Sequence, residues 1–239
     1  MKTLYFGGGG FAIAYHIGVV RALQEKMGND FYKNYEIHGD SAGTLVALSI
    51  MCGYDWINMK NLFYDYVKTC KKEGIWFGNI STVQDKYFDI LLDNKTLEDI
   101  NNFNLYVGTT EYPYKHIRCC KYDSIKQFRQ YLHETMYIPG LIRFNPNSRL
   151  DGAMSNNITY NISIGSQNSA HMKGKWRWYD VIYPLSNQRM DKLMYCGYED
   201  GINFLSGNIC NPNPNKYRYS FMTFLWFIQA LLKLINIFM

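Results

Sequence analysis

The pentapeptide Gly39-Asp40-Ser41-Ala42-Gly43 constrains the fold of this chain more than any other feature. A run typical of a β-strand, residues 35–38, precedes it, and an apolar run typical of a helix, residues 45–50, follows it. A G-x-S-x-G sequence between a strand and a helix is typical of a nucleophile elbow, a sharp turn that leaves the serine hydroxyl exposed above the sheet. The following helix N-terminus favours negative charge beside the serine. Ser41 is therefore the first candidate for a functional residue.

Strand and helix patterns alternate through the first 55 residues. Residues 3–6 form a strand pattern, residues 7–10 are all glycine, and residues 11–26 carry apolar side chains at helical spacing before the second strand and the serine turn. This alternation predicts βαβ units and a mainly parallel sheet. Further patterns predict helices at 56–72, 83–92, 124–133 and 188–205, and strands at 105–108, 115–119 and 176–183.

The glycine run Gly7–Gly10 joins the first strand to the first helix. Without side chains, its backbone N–H groups can approach a ligand, and the helix that follows favours an anion there. A dinucleotide fingerprint would need a third glycine where the chain has Ile13, and the Gly-Lys-Ser/Thr of a phosphate loop is absent. A phosphate or a developing oxyanion would fit, and a serine on the neighbouring strand favours the oxyanion. A plain flexible turn is the alternative.

A serine nucleophile needs a base. Asp151-Gly152 follows a short strand-like run and leads into a turn of small residues, which makes Asp151 the best candidate. An Asp-Gly pair is also common in hairpin turns. The second pair, Asp200-Gly201, lies inside a predicted helix and is the weaker candidate.

The sequence is also compatible with a catalytic triad. Ser41, Asp151 and His171 follow the chain order Ser…Asp…His of α/β-hydrolases. Against this, Ser41 comes after only one earlier strand, and no distinctive pattern surrounds His171. His16, on the first helix, and His38, just before the serine turn, are better interpreted as structural residues.

Charge and cysteine usage exclude some functions. The net charge of +5 is small and its basic residues are scattered, which suits anionic headgroups but not a nucleic-acid partner. Six cysteines at 52, 70, 119, 120, 196 and 210 show neither C-x-x-C nor zinc-ligand spacing, so we expect free thiols and no metal. The first apolar run is too short for a signal peptide, so we expect an intracellular protein that is not secreted. Nothing in the sequence indicates an oligomeric state.

The C-terminal part differs in composition from the rest. Residues 207–218 are rich in Asn and Pro and predict a linker, and residues 219–239 predict an apolar helix. Gln229, Lys233 and Asn236 fall on one face of that helix. It could lie flat on a membrane as an amphipathic helix, span it as a tail anchor that buries Lys233, or pack on the preceding domain. The first two arrangements would bring the domain to a membrane or lipid surface.

Several segments in a fixed order resemble the patatin-like phospholipase family, and its animal-type branch most closely. Together they cover about residues 3–205. The segments are, in chain order, Gly8–Phe11 with Tyr15-His16-x-Gly18-Val19, the serine pentapeptide with Thr44, Tyr137–Gly140, Asp151–Asn157, and Gly197-Tyr198-x-Asp200 with Phe204-Leu205. Ala12 and Ile13 stand where many members have a basic residue and glycine. Ala153 replaces the second glycine of the usual Asp-Gly-Gly.

The resemblance implies a three-layer α/β/α sandwich for a domain of residues 1–206. It implies Ser41 as nucleophile, Asp151 as base, and an oxyanion hole formed by the backbone N–H groups of Gly8, Gly9 and Gly10, with Gly39, Gly43 and Gly152 as motif glycines. No metal and no organic cofactor are implied. The expected function is a lipid acyl hydrolase that forms an acyl-enzyme on phospholipids, lysophospholipids or neutral glycerides, and the same dyad could transfer the acyl group to an alcohol. The alternative is a non-catalytic lipid-binding or membrane-associated protein of this fold. Ile13, which replaces a usual glycine, is the feature that favours this alternative.

Overall fold

The computed structural model describes residues 1–76, 79–111, 115–138, 149–165 and 170–208. The strands in these ranges are β1 (Lys2–Phe6), β2 (Tyr35–Asp40), β3 (Leu105–Glu111), β4 (Lys115–Cys119), β5 (Leu150–Asp151), β6 (Ile162–Gly165) and β7 (Met172–Lys173). The α-helices are α1 (Ala14–Met27), α2 (Gly43–Met51), α3 (Trp56–Glu73), α4 (Asn79–Leu91), α5 (Leu97–Asn102), α6 (Ile125–Thr135), α7 (Trp178–Ile182) and α8 (Asn187–Leu205). Short 3-10 turns occupy Gly10–Ile13, Phe31–Asn34 and Gly152–Met154.

The described strands form one sheet in the order β4-β3-β2-β1-β6-β7, with β5 paired to β3. The pairs β1–β2, β2–β3, β1–β6 and β6–β7 are parallel, whereas β4 and β5 run antiparallel to β3. Leu4, Tyr5 and Phe6 are buried in succession, as expected for a central strand whose two faces are both covered by helices. The expected three-layer α/β/α sandwich with a mainly parallel sheet is confirmed.

This topology decides where a site can form. β1 and β2 are parallel neighbours, so the glycine run after β1 and Ser41 after β2 leave the sheet at the same edge. Open α/β sheets bind ligands at that edge, beyond the carboxyl ends of the strands.

Helices α1 and α8 pack with their backbones in close contact. A Cβ on Gly18 would lie 1.9 Å from the carbonyl oxygen of Met194, and a Cβ on Gly197 would lie 2.0 Å from that of Tyr15. The Tyr15 hydroxyl donates a hydrogen bond of 2.6 Å to Asp200 across the same contact. Asp200 therefore joins two helices. Because α1 follows the glycine run, its packing on α8 also holds that run in place.

The strand predicted at 176–183 is wrong, because the structure has the short helix α7 there. The backbone N–H of Arg177 donates to the Asp180 carboxylate at 2.8 Å, which closes the first turn of the helix. Asp180 is buried and also pairs with Arg189 of α8. The strand was predicted from the alternation of apolar and polar residues, and alternation carries no information about this bond between a side chain and the backbone.

Other elements were missed or placed with different ends. Helix α4 begins at Asn79, four residues earlier than expected, and β6, β7 and α5 were not predicted. Strands β6 and β7 are too short for their alternation to stand out, and α5 depends on a capping box between Thr96 and Asp99.

The predicted linker and C-terminal helix lie almost entirely outside the described residues, which end at Asn208. Within those residues, no helix combines the length and apolar character needed to cross a membrane. The five cysteines of the described ranges are free thiols, as expected.

We expect Gly197→Ala to lower the free energy of unfolding by about 3 kcal/mol, because the added Cβ would force α1 and α8 apart. Cys196→Ala is the matched control, since Cys196 is the neighbouring residue of α8 and is exposed. It should change stability by less than about 0.5 kcal/mol. Urea denaturation followed by circular dichroism would measure both, and equal stability of the two variants would contradict the close helix contact.

Candidate active site

Ser41 occupies the sharp turn between β2 and α2. Its φ of +54° lies in the left-handed region, where a non-glycine residue costs of the order of 1–3 kcal/mol unless its surroundings hold it there. One such restraint is Thr135 of α6, whose hydroxyl oxygen accepts the Ser41 backbone N–H at 2.9 Å. The residue is only 8% exposed. The turn has the strained geometry expected of a nucleophile elbow.

The two glycines of the pentapeptide are required by the space around the turn. A Cβ on Gly43 would lie 2.3 Å from the carbonyl oxygen of Phe6 and 2.4 Å from that of Gly7. A Cβ on Gly39 would lie 2.7 Å from the Cα of Thr44. The glycines therefore let α2 start directly against the end of β1, which places Ser41 beside the glycine run.

The glycine run leaves two backbone N–H groups available. Gly7 donates to the Ile164 carbonyl of β6, and the next backbone bond in the turn is from Ala12 to the Gly9 carbonyl. Among the described residues, the N–H groups of Gly8 and Gly9 donate to no protein acceptor. Such groups are costly to leave unpaired when buried and are suited to bind an anion or an oxyanion.

Three backbone segments meet at Gly8. A Cβ placed on Gly8 would lie 2.8 Å from the Cβ of Ala153 and 3.0 Å from the Cβ of Ser41. The Ala153 N–H donates to the Asp151 carboxylate at 2.9 Å, so the turn that meets Gly8 also binds this carboxylate. The structure therefore brings together the glycine run, the serine and the aspartate that the sequence singled out.

Asp151 is held by the antiparallel strand β5, which sequence patterns did not show as part of the sheet. It pairs with Thr109, and the hydroxyl of Thr110 donates to its carbonyl oxygen at 2.7 Å. A Cβ on Gly152 would lie 2.1 Å from the carbonyl oxygen of Gly108, so glycine is required directly after the aspartate. The Asp151 side chain is 5% exposed.

The Ser41 hydroxyl has no hydrogen-bond partner in the part of the chain that the structure describes. In sites without bound substrate, the hydrogen bond between nucleophile and base is often long or unformed and tightens only in the substrate complex. The free hydroxyl is therefore compatible with a base in the turn of Asp151, which meets the glycine run at Ala153.

His171 lies away from Ser41. Its imidazole is bonded to the Ser163 hydroxyl at 2.9 Å and packs against the ring of Phe204. It precedes β7, three strands from β2 in the sheet, which corresponds to about 14 Å at the usual spacing between strands. The geometry therefore argues against a triad with His171.

His16 and His38 are packing residues, as the sequence indicated. His16 lies below the glycine run, with its ring among those of Phe6, Tyr15 and Trp176. Burial lowers the pKa of the His16 imidazole to about 4, and the nearby carbonyl groups of Ile164 and Gly7 offset only part of this effect.

His38 stacks on Tyr106 of β3 with ring centroids 4.6 Å apart. Burial also lowers its pKa to about 4. Ile13, the unusual residue after the glycine run, is buried in the hydrophobic core where the 3-10 turn meets α1.

A buried polar cluster behind Ser41 was not predicted. Asp40 is 2% exposed and accepts hydrogen bonds from the Tyr5 hydroxyl at 2.8 Å and from the Asn156 amide at 2.5 Å. Burial raises the pKa of the Asp40 carboxyl. The one feature of the sequence that could have indicated this cluster is the acidic residue within a pentapeptide that has to pack tightly.

Among the described residues, no group of three or more His, Cys, Asp or Glu side chains is arranged to hold a metal ion.

Comparison with known proteins identifies two curated relatives, while no protein-family model matches the chain. Patatin-like phospholipase domain-containing protein 5 of Mus musculus is 27% identical over 169 residues, which is 66% of this chain and 39% of that protein. The cUMP-AMP-activated phospholipase of Escherichia coli is 26% identical over 100 residues, which is 41% of this chain and 31% of that protein. The chain therefore spans two fifths or less of the length of these relatives.

Among solved structures, the complex of ExoU with SpcU from the type III secretion system of Pseudomonas aeruginosa has a similar chain. Its TM-score is 0.49 at 13% identity, covering 87% of this chain and 52% of that one. The resemblance to patatin-like phospholipases that the sequence indicated is confirmed.

We expect the wild-type protein to lose stability as the pH falls from 6.5 towards 4. The unfolded chain binds a proton on His16 below pH 6.5, whereas the folded chain does not until about pH 4, so acid favours unfolding. The contribution of this residue is about 3 kcal/mol at most. His16→Phe should flatten the pH dependence of the free energy of unfolding. An unchanged slope in that variant would contradict the burial of a neutral imidazole.

Proposed function

Because the chain is similar to patatin-like phospholipases, we propose that it is a serine hydrolase of lipid esters. Ser41 is its nucleophile and Asp151 its base. The observation that supports the proposal is the meeting of Gly8, Ser41 and Ala153, because Ser41 is in a strained turn, Gly8 and Gly9 have available N–H groups, and Ala153 binds the Asp151 carboxylate.

The first half of the proposed reaction acylates the enzyme. The Ser41 oxygen attacks the ester carbonyl carbon while the Asp151 carboxylate accepts the hydroxyl proton. The carbonyl oxygen becomes an oxyanion, which accepts hydrogen bonds from the two available backbone N–H groups, those of Gly8 and Gly9. The intermediate then collapses, the C–O bond to the alcohol breaks, and the leaving alcohol takes the proton from Asp151. The product is an acyl ester on Ser41.

The second half releases the acid. A water molecule attacks the acyl carbonyl carbon and gives a proton to Asp151, and the same N–H groups stabilise the second oxyanion. Cleavage of the bond to the Ser41 oxygen releases the fatty acid, and the proton on Asp151 returns to Ser41. The cycle needs no histidine, which agrees with the position of His171 beside Ser163.

We expect Ser41→Ala and Asp151→Asn each to lower kcat by about a thousandfold or more, because each removes a group that takes part in every turnover. Hydrolysis of p-nitrophenyl butyrate and fatty-acid release from phosphatidylcholine vesicles would be measured on protein whose thermal unfolding matches the wild type. Diacylglycerol and lysophosphatidylcholine would be compared to define the lipid class.

Two control variants accompany this experiment. Asp200→Asn alters the other Asp-Gly aspartate, which bonds to Tyr15, and His171→Ala removes the histidine of the alternative triad. Both should keep kcat within about threefold of the wild type, because an asparagine oxygen can still accept the Tyr15 hydroxyl and because His171 lies away from Ser41. A folded His171→Ala protein without activity would replace the dyad with a triad, and a folded wild type that binds lipid without hydrolysing it would indicate the non-catalytic alternative.

Residues 219–239 are proposed to bind the lipid surface. Their support is the sequence alone, in which a wide apolar face accompanies the polar residues Gln229, Lys233 and Asn236. Deleting residues 219–239 should reduce co-sedimentation with phosphatidylcholine and phosphatidylserine vesicles, while hydrolysis of p-nitrophenyl butyrate continues. Unchanged co-sedimentation would contradict this role of the segment.

A further inference from the structure

Asp40, the residue before the proposed nucleophile, is bound on one side by two donors. Its Oδ2 accepts the Tyr5 hydroxyl at 2.8 Å and the Asn156 amide at 2.5 Å. The same amide nitrogen also donates to the Tyr160 hydroxyl at 2.9 Å. Burying a carboxyl group is costly unless it is paired, so a position this enclosed calls for a structural or chemical reason.

The other oxygen of Asp40 lies against the turn that carries Asp151. A Cβ on Gly152 would lie 3.0 Å from Oδ1, and a Cβ on Gly108 would lie 1.9 Å from it. The carboxyl group therefore fills the space that these two glycines leave open. Asp40, the residue before Ser41, therefore packs against Gly152, the residue after Asp151.

His116 of β4 faces the same oxygen. Its Nε2 is 3.8 Å from Asp40 Oδ1 and has no hydrogen-bond partner among the described residues. Its Nδ1 lies 3.3 Å from the Ser155 hydroxyl, which lies 2.7 Å from the Thr110 hydroxyl. Thr110 donates to the carbonyl oxygen of Asp151. A continuous chain of polar groups thus runs from Asp40 to the backbone of Asp151.

The protons of this chain can be counted, because each hydroxyl has a single hydrogen. Thr110 uses its hydrogen on the Asp151 carbonyl, so Ser155 must donate to Thr110. The Ser155 hydrogen is then used, so His116 must carry a proton on Nδ1 and donate it to Ser155. In the neutral ring this leaves a lone pair on Nε2, the ring nitrogen that lies 3.8 Å from Asp40 Oδ1.

An ionised Asp40 would be repelled by that lone pair, and a proton on one of the two groups would remove the repulsion. Since Oδ2 already accepts two hydrogen bonds, the free position on Asp40 is Oδ1. Burial raises the pKa of Asp40 and lowers that of His116, and both directions favour the proton on the carboxyl group. His116, the hydrogen bonds from Asn156 and Tyr5, and Arg118 of β4 oppose the effect of burial on the pKa of Asp40, and burial remains the largest cause.

We propose that Asp40, protonated on Oδ1, and His116 are positioning residues that hold the Asp151 turn against β3 and the Ser41 elbow. The proposal rests on the function proposed above for Ser41 and Asp151. Asp40 fixes the turn through contact with Gly152, and His116 fixes it through Ser155 and Thr110. Neither residue is proposed to touch the substrate.

Asp40→Asn tests the protonation state, because asparagine has the hydrogen-bonding pattern of a protonated carboxyl. Its carbonyl oxygen can accept from Tyr5 and Asn156, and its amide can point an N–H at His116. We expect this variant to keep kcat within about threefold of the wild type. Asp40→Ala leaves the two donors unpaired, and we expect kcat to fall about 10- to 100-fold with KM within about twofold, as for a misplaced catalytic group.

His116→Ala and Ser155→Ala test the second connection, and they keep the experiment decisive if Asp40→Ala does not fold. Each should also lower kcat for p-nitrophenyl butyrate and leave KM within about twofold. The matched control is His171→Ala, because His171 bonds a serine hydroxyl through the same ring nitrogen in another part of the sheet. Active sites would be titrated with a fluorophosphonate, so that kcat refers to folded, reactive enzyme and a loss of folding alone would not lower it.

The outcomes separate this proposal from the proposed function. An active wild type with unchanged kcat in the folded Ala variants of Asp40, His116 and Ser155 would overturn the positioning role alone. An Asp40→Asn protein as impaired as Asp40→Ala would overturn the protonated carboxyl. A folded wild type without turnover or labelling would contradict the proposed function, and the positioning role with it.

Discussion

At the centre of this molecule, the backbone after β1 and the first turn of α2 are closer together than a single Cβ would allow. Gly43 lies against the carbonyl groups of Phe6 and Gly7, and Gly8 lies against Ser41 and Ala153. These contacts need glycine, because any side chain would push one segment away from the next. Everything proposed about the site follows from them, since they bring the serine, the glycine run and the aspartate turn into one small volume.

The sequence predicted much of this arrangement from local signals. The G-x-S-x-G between a strand and a helix indicated the turn at Ser41, and alternating strands and helices indicated a parallel sheet with its site at the carboxyl edge. Asp151 could be singled out only as an Asp-Gly in a turn of small residues. Its pairing with Thr109 depends on a two-residue strand that no periodicity can show.

Other features depend on contacts between distant parts of the chain and have no local signal. Asp40 accepts hydrogen bonds from Tyr5, which is 35 positions away in the sequence, and from Asn156, which is 116 positions away. Its neighbours in sequence therefore do not indicate its surroundings. The sequence of α7 alternates like that of a strand, but Asp180 caps the segment as a helix and pairs with Arg189. His171 fits a triad in chain order and is excluded only by its place in the sheet, beside Ser163.

The proposed chemistry depends on Ser41 being an activated nucleophile, and covalent labelling measures that property without a lipid substrate. Wild-type protein and Ser41→Ala would be treated with a fluorophosphonate, then compared by intact mass and by mass spectrometry of proteolytic peptides. We expect a single adduct on the peptide that contains Ser41 and no adduct in the variant. A folded wild type that forms no adduct, or forms it on another residue, would rule out Ser41 as the nucleophile.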